Sequence, residues 1–515
     1  MNQSISQKIV RNTLFNIAGN FWGILVALVL IPYIIGHIGA ERFGVWAIVG
    51  VITGYFGLLD FGVGTSFVKY ISEYYTKEDF KGLNQVVNTG FVFYSLFGGA
   101  IIILGFLLIK PLLEFFNIPN NIYDEALFVF MIGIIIFAVS NAISAFGAVQ
   151  TGLQRMDIAN KVAITMSIPN IVGTIFFLER GYGLPGLMVN NAIILVLSGI
   201  VNIVIAFKIL PELRFNPSLF NRKMFKRLFS FGYKLQVSRI ASLFHFQMDK
   251  IILAHFLNIG FVTYYTVAAQ LTSRVREMPL LLISAIFPAA SELEAKADKD
   301  SLYKLYFRSM KYVVLIGLPL SLLIILIANP FINLWLGDGY ERSILTLQIL
   351  MIGYFFNIIT GPGFTILNGM GKPQYGMRSS ILAGVLNLVL SILLVIKMGY
   401  FGVVIGTTIS MIVAAIYFIS IFHKIMNISI WEMIRKILLK PFMACGITCL
   451  IVYIIAKQIE RIGWFSLMGV GVSYLILFAL IILVVNYLDD FDKTIVNKCS
   501  PVRLFKMTEG TDCKN

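Results

Sequence analysis

KRLFSFGYKLQVSRIASLFHFQMDKIILAHF (Lys226–Phe256) and FVTYYTVAAQLTSRVREMPLLLISAIFPAA (Phe261–Ala290) are two long apolar segments that carry charges where a membrane helix should have none. Lys234, Arg239, His245, Asp249 and Lys250 lie in the first, and Arg274, Arg276 and Glu277 in the second. An ionisable group in hydrocarbon costs several kcal/mol unless it faces protein or water, so such residues mark a pathway by default. The rest of the chain then has to be a scaffold that holds this pathway across a bilayer.

The bulk composition agrees. Of 515 residues, 58% are hydrophobic and only 13% charged, with a mean hydropathy of +0.85, whereas soluble domains are about 25% charged. About 20 apolar residues span a hydrocarbon core as a helix, while a barrel strand needs about 10 alternating ones. The runs here are long and unbroken, which predicts helices. Counting them gives about fourteen, beginning with Asn12–Ile35 and Phe43–Ser72, including Phe225–Phe256 and Phe261–Ala290, and ending with Ile434–Ala456 and Trp464–Tyr487. Lys8 and Arg11 precede an apolar run with no small-residue cleavage site and too long for a signal-peptide core, so it is read as the first transmembrane helix.

A formal charge of +15 would suggest nucleic acid if the cations were spread evenly, but they sit in alternate loops. With an even number of spans, 29 Lys and Arg fall in the loops or at the span ends on the side of both termini, against 7 opposite and 5 deeper inside spans. That asymmetry predicts cytoplasmic termini. A short echo links the loop entering the second span, Ile38–Gly44, to the one entering the eighth, Ile259–Tyr265: each begins Ile-Gly and has an aromatic four residues after its glycine. Six spans separate them, the pattern left by duplicated six-helix lobes with the substrate path between them. We therefore expect an all-α integral membrane fold of two pseudo-symmetric six-helix lobes, residues 1–212 and 213–425, two additional transmembrane helices within 426–488, and a cytoplasmic tail from 489 to 515.

At about 100° per helical residue, Lys234, Ser238, Ser242, His245 and Asp249 form one polar stripe, bordered by Arg239 and Lys250. Thr266, Gln270, Arg274 and Glu277 form a second, with Arg276 pointing elsewhere. Two polar faces with excess positive charge favour an anionic ligand such as a pyrophosphate. The plainer alternative is structural: Asp249 pairs with an Arg or Lys, Glu277 braces Arg274, and Lys234 snorkels to the cytoplasm. Asp60 is the one acid of the second span, with either a basic partner or a coupling-ion role. Asn16 and Asn20, one turn apart on the first span, either line the same cavity or make interhelical hydrogen bonds. Gly19 with Gly23, Gly50 with Gly54, and Gly402 with Gly406 have the spacing of close helix packing.

Enzyme signatures are sparse. No GxxxxGK[ST] occurs, so no P-loop in this chain hydrolyses ATP; Gly181–Gly186 fits GxGxxG, but in a short turn with no room for a nucleotide domain. The four cysteines and four histidines show no disulfide framework and no metal-ligand spacing, and no cofactor is expected.

Gly39-Ala40-Glu41-Arg42-Phe43-Gly44-Val45-Trp46, Leu58-Leu59-Asp60-Phe61-Gly62-Val63-Gly64, Lys69-Tyr70-Ile71-Ser72-Glu73, Asp249-Lys250-Ile251-Ile252-Leu253, Gly260–Ala268 and Phe287-Pro288-Ala289 resemble the bacterial polysaccharide biosynthesis flippases. These are the O-antigen and capsule translocases of the multidrug/oligosaccharidyl-lipid/polysaccharide (MOP) exporter superfamily. The resemblance spans nearly the whole chain. It implies two six-helix lobes around a cationic lumen, in the bacterial cytoplasmic membrane, and a transporter that carries undecaprenyl-pyrophosphate-linked oligosaccharide from the inner to the outer leaflet. Lys234, Arg239, Lys250, Arg274 and Arg276 would then hold the pyrophosphate, and Asp60, His245, Asp249 and Glu277 would be the titratable coupling candidates. Asn16, Asn20 and Gln270 would add polar lining. A glycan polymerase and a chain-length regulator would be partners. The competing readings are a multidrug cation antiporter of the same superfamily, whose site should be acidic and aromatic, and a membrane-embedded glycan polymerase or ligase, which should carry long external loops.

Overall fold

The computed structural model describes residues 5–60, 62–283, 286–457 and 463–499, and among them there is helix and no strand. In chain order the helices are α1 (Ile5–Phe56), α2 (Val63–Thr76), α3 (Phe80–Phe115), α4 (Tyr123–Gly152), α5 (Met156–Glu179), α6 (Gly183–Ile209), α7 (Arg222–Phe256) and α8 (Ile259–Leu280). They continue as α9 (Ile286–Ala295), α10 (Lys299–Leu336), α11 (Glu341–Gly369), α12 (Gln374–Met398), α13 (Tyr400–Met426), α14 (Ile430–Met433), α15 (Leu439–Lys457), α16 (Trp464–Val484) and α17 (Asp490–Cys499), with a π turn at Ile434–Leu438. Eleven helical segments among the described residues are long and apolar enough to cross a membrane. The expected fourteen is recovered once two facts are included: the first and second spans run together through α1, and α7 and α8 carry the charges noted above.

Two expected spans are broken. The second, Phe43–Ser72, stops at Phe56, passes through a 3-10 turn at Gly57–Asp60 and resumes as α2 at Val63. The eighth, Phe261–Ala290, ends as α8 at Leu280, one residue past Pro279, turns at Leu281–Ile283 and resumes as α9. A length rule counts apolar residues and does not register such breaks. Upstream, α1 kinks at Gly39, whose φ of 78° and ψ of 170° belong to a region only glycine occupies readily.

The described residues group into two compact units, Met1–Gln270 with Ser380–Ser410, and Leu271–Ser379 with Met411–Asn515. In the first, α3 packs on α4, α4 on α6, α5 on α1 and α6, and α2 on α4 and α7. Its core includes Phe67, Tyr70, Leu83, Val87, Tyr94, Phe146, Leu210 and Leu228. The two echoing loops meet inside this unit: Thr263 Oγ1 donates to the Ala40 carbonyl at 2.5 Å, and Gly44 packs directly on the Ile259 carbonyl. In the second unit α10 carries α11, α15 and α16, with Leu323, Val452, Val470 and Tyr474 at the contact. There α17 is docked by Asp492, which is buried and bonded to Lys311 and to Tyr312 Oη.

Glycine spacing predicts helix contact only in part. Gly402 and Gly406 do lie against the backbone of α12, and a Cβ on Gly19 would strike Asn160, but Gly23, Gly50 and Gly54 face open space. A Cβ on Gly44 has nowhere to go, so Gly44→Ala should destabilise the protein by about 1–3 kcal/mol. Gly50→Ala should be neutral or stabilising by up to about 1 kcal/mol. Melting temperatures in detergent check the pair; equal melting would contradict the packing at Gly44.

Candidate functional site

Asp249 is the centre of the polar constellation in the first unit. It lies on α7 and is completely buried. Tyr265 of α8 donates its hydroxyl to Asp249 Oδ2. Asn387 of α12 and Thr407 of α13 face the carboxylate, and Lys250 is the adjacent cation. Tyr55 of α1 lies close enough for its hydroxyl to feel the charge. Among the described residues no donor reaches Asp249 Oδ1 in hydrogen-bond geometry, and Gln247 Oε1 on α7 and Thr266 Oγ1 on α8 are likewise buried without a partner.

Distant segments assemble this cluster for identifiable reasons. Asn387 and Ser391 sit one turn apart on α12, and Ser391 Oγ donates to Asn387 Oδ1 at 2.8 Å. Gly406 lets α13 approach until a Cβ there would meet Ser391 N at 2.8 Å, which carries Thr407 to the same place. Thr407 Oγ1 donates to the Val403 carbonyl at 2.9 Å and lies 3.5 Å from Asn387 Oδ1. The result is a sealed carboxylate faced by neutral polar side chains. A buried carboxylate without full compensation is costly, and taking up a proton or a small cation would relieve that cost.

The other expected residues are placed differently. Asp60 is buried at the break before α2, where Oδ1 accepts from Gly62 N at 2.6 Å and Oδ2 from Tyr94 Oη at 2.9 Å. Both of these partners are neutral donors, and Asp60 satisfies backbone left over by the interrupted helix. In the second unit, Arg274 Nη1 pairs with Glu277 Oε2 at 3.2 Å, both side chains about half exposed. Exposed pairs of this kind contribute about 0–1 kcal/mol. Arg276 turns away from them, as its angular position predicts, and donates through Nε to Asn357 Oδ1 on α11 at 2.6 Å. Gln270 is exposed and Lys250 half-buried. The side chains of Asn16, Asn20, Lys234, Arg239 and His245 lie outside the described residues.

Tyr265, Asn387, Ser391 and Thr407 were not singled out from the sequence. Their signal was present: Asn387 and Ser391 stand at i and i+4 in an otherwise apolar helix, and Thr407 follows the Gly402/Gly406 pair. None of these features says which acid they serve.

Among the described residues the chain is all-helical, with eleven segments long and apolar enough to cross a membrane. Residues 9–294 match the family model described as polysaccharide biosynthesis protein, and residues 237–393 match that described as MatE. The chain belongs to the polysaccharide biosynthesis protein family. It is 24% identical over 415 residues to a protein named as a candidate O-antigen transporter in Shigella flexneri, covering 79% of this chain and 96% of that one. It is also 24% identical over 188 residues, 36% of this chain and 39% of the other, to a candidate flippase of low-salt glycan biosynthesis from Haloferax volcanii. Among solved structures it resembles the lipid II flippase MurJ in an inward closed conformation, with a TM-score of 0.69 at 16% identity over 92% of this chain and 99% of that one. An inward-facing multidrug resistance MATE transporter gives 0.65 at 17% identity, over 83% and 96%. At these identities the structural likeness speaks for the fold.

Removing the Tyr265 hydroxyl leaves a buried acceptor short of its donor, so Tyr265→Phe should lose about 1–3 kcal/mol of stability. Asp249→Asn keeps an acceptor for Tyr265 and removes the buried charge, so it should melt at or above the wild-type temperature. Thermal melting in detergent reads both; a Tyr265→Phe variant as stable as wild type would contradict the bond.

Proposed function

We propose that the protein is a flippase that carries an undecaprenyl-pyrophosphate-linked oligosaccharide, a repeat unit of O-antigen, capsule or exopolysaccharide, from the inner to the outer leaflet of the cytoplasmic membrane by alternating access. The observation that carries this reading is the family match over residues 9–294. Relatives named for O-antigen transport and glycan flipping support it. So does the physics of the cargo. Stripping about ten sugar hydroxyls of hydrogen bonds would raise a barrier of tens of kcal/mol. A hydrated, electropositive lumen between six-helix lobes at residues 1–212 and 213–425 removes most of that barrier while the polyprenyl tail stays in lipid. Lys234, Arg239, Lys250, Arg274 and Arg276 would attract the pyrophosphate, with Asn16, Asn20 and Gln270 as polar lining. Both termini would be cytoplasmic, with glycan polymerase and chain-length regulator as neighbours in assembly.

No P-loop is present in the sequence, so direction has to come from an ion gradient or from consumption of the product. Asp249 is the residue best built for coupling. Its carboxylate is sealed, Oδ1 lacks a donor in hydrogen-bond geometry among the described residues, and the Asn387 and Thr407 side chains face it. Taking up a proton or a small cation there cancels a buried charge and links α7 and α8 to α12 and α13. Asp60, His245 and Glu277 are second-rank candidates: Asp60 is already satisfied, and Glu277 is paired at the surface.

The MatE match over residues 237–393 favours one other reading, a multidrug cation antiporter. Expression in a strain lacking its own O-antigen flippase separates the two. Wild type should restore surface glycan, and Lys234→Ala, Arg274→Ala and Asp249→Asn should each reduce it at least tenfold at unchanged membrane abundance. Ethidium accumulation should not change. Ethidium efflux without surface glycan would favour the antiporter, and full activity of both cation variants would remove Lys234 and Arg274 from substrate binding.

A further inference from the structure

In the segment joining α6 to α7, residues 213–216 lie between a turn at 211–212 and a 3-10 turn at Pro217–Leu219, and they run along α3 as a neighbouring strand would. Asn84 and Asn88 are one helical turn apart. Asn84 Nδ2 donates to the Glu212 carbonyl at 2.9 Å and its Oδ1 accepts from Arg214 N at 2.5 Å. Asn88 Nδ2 donates to the Arg214 carbonyl at 2.7 Å and its Oδ1 accepts from Asn216 N at 2.8 Å. Thr89 Oγ1 then accepts from Asn221 N, at 3.0 Å. The register follows from geometry: four helical residues rise about 6.0 Å, and two extended residues rise about 6.6 Å. Consecutive turns of α3 thus meet alternate residues of the connection.

Both amide hydrogens of each asparagine are used, because the second one goes to its own helix, at Phe80 O and Asn84 O. All three side chains are buried, so breaking the ladder would strand them. Of the intervening residues, Leu213 is buried among the apolar members of the core, while Phe215 is exposed and packs edge-on to Phe91 at 4.9 Å. The first turns of α7 continue the attachment. Ser66 Oγ donates to the Leu228 carbonyl at 2.7 Å, Arg227 donates to Tyr74 Oη at 2.7 Å and Glu73 Oε1 at 3.1 Å, and Gly62 packs on the Gly232 carbonyl.

We infer that Asn84, Asn88 and Thr89 are positioning residues for α7: they keep residues 212–221 zipped to α3 throughout the transport cycle, so the inter-lobe connection is a clamp. α7 carries Lys234, Arg239, Asp249 and Lys250, so its entry point sets where these residues stand. The inference rests on the transporter reading, but part of its test does not.

Hydrogen exchange on the full-length protein in nanodiscs should show the 212–221 peptide protected. Asn84→Ala with Asn88→Ala should speed its exchange at least tenfold; an unchanged rate overturns the clamp whatever the protein transports. In the surface-glycan assay, the same double variant should lose at least fivefold activity at equal abundance. Adding Thr89→Cys with Asn221→Cys, in a background without native cysteines, and oxidising the pair should restore that activity to within twofold of the cysteine-free parent. Thr89 Oγ1 and Asn221 N are 3.0 Å apart, so the two residues are direct neighbours. Activity that the disulfide stops and a reductant revives would mean that the connection must open, and would overturn the inference. A wild type that restores no glycan counts against the transport reading, and the exchange result then decides the clamp by itself.

Discussion

A carboxylate sealed inside a membrane helix has to be answered by the protein, because neither lipid nor bulk water is there to do so. Asp249 imposes that constraint. Tyr265 bonds it directly, and Asn387 and Thr407 face it from helices well over a hundred residues further along the chain. The demand propagates outward. α13 approaches α12 this closely because residues 402 and 406 are glycine, and the Ser391 hydroxyl orients Asn387 while that of Thr407 bonds the Val403 carbonyl. The same rule operates in the α6–α7 connection, where Asn84, Asn88 and Thr89 satisfy backbone that would otherwise be stranded beside a packed core.

The architecture was largely legible in the sequence because membrane helices are selected by a coarse property, the length of apolar runs. The Lys and Arg asymmetry reinforced the count, and the shared start of Ile38–Gly44 and Ile259–Tyr265 located two loops that touch each other. What escaped was local. The breaks after Phe56 and Leu280 depend on Asp60, Gly62 and Pro279 acting within otherwise apolar runs, and averages over a span erase them. Glycine spacing identified the contact at Gly402 and Gly406 and misread Gly50 and Gly54, because a spacing gives the face and not whether a neighbour stands there.

The site was legible in proportion to how unusual each residue is in hydrocarbon. Asp249 could be picked out alone, since a buried acid is rare. Its partners could not, since Asn, Ser and Thr are tolerated in membrane helices by bonding to their own backbone. Arg276 was correctly set apart from Arg274 and Glu277 by helical angle, yet its partner Asn357 belongs to α11, and no angle computed on α8 can reveal it. Helical periodicity orders residues within one helix; pairing between helices is decided by packing. The family likeness filled that gap for the fold and left the roles of individual side chains to geometry.

On the proposed function the chain is a conduit whose polar groups would lower the cost of moving a charged, hydroxyl-rich head group past lipid. Reconstitution in ATP-free proteoliposomes tests that most directly, using an undecaprenyl-pyrophosphate oligosaccharide labelled with a fluorophore that dithionite bleaches in the outer leaflet alone. The protein should raise the bleached fraction well above the half seen in protein-free vesicles, with no nucleotide present. A fraction that stays at half with correctly folded protein in every vesicle would contradict the account.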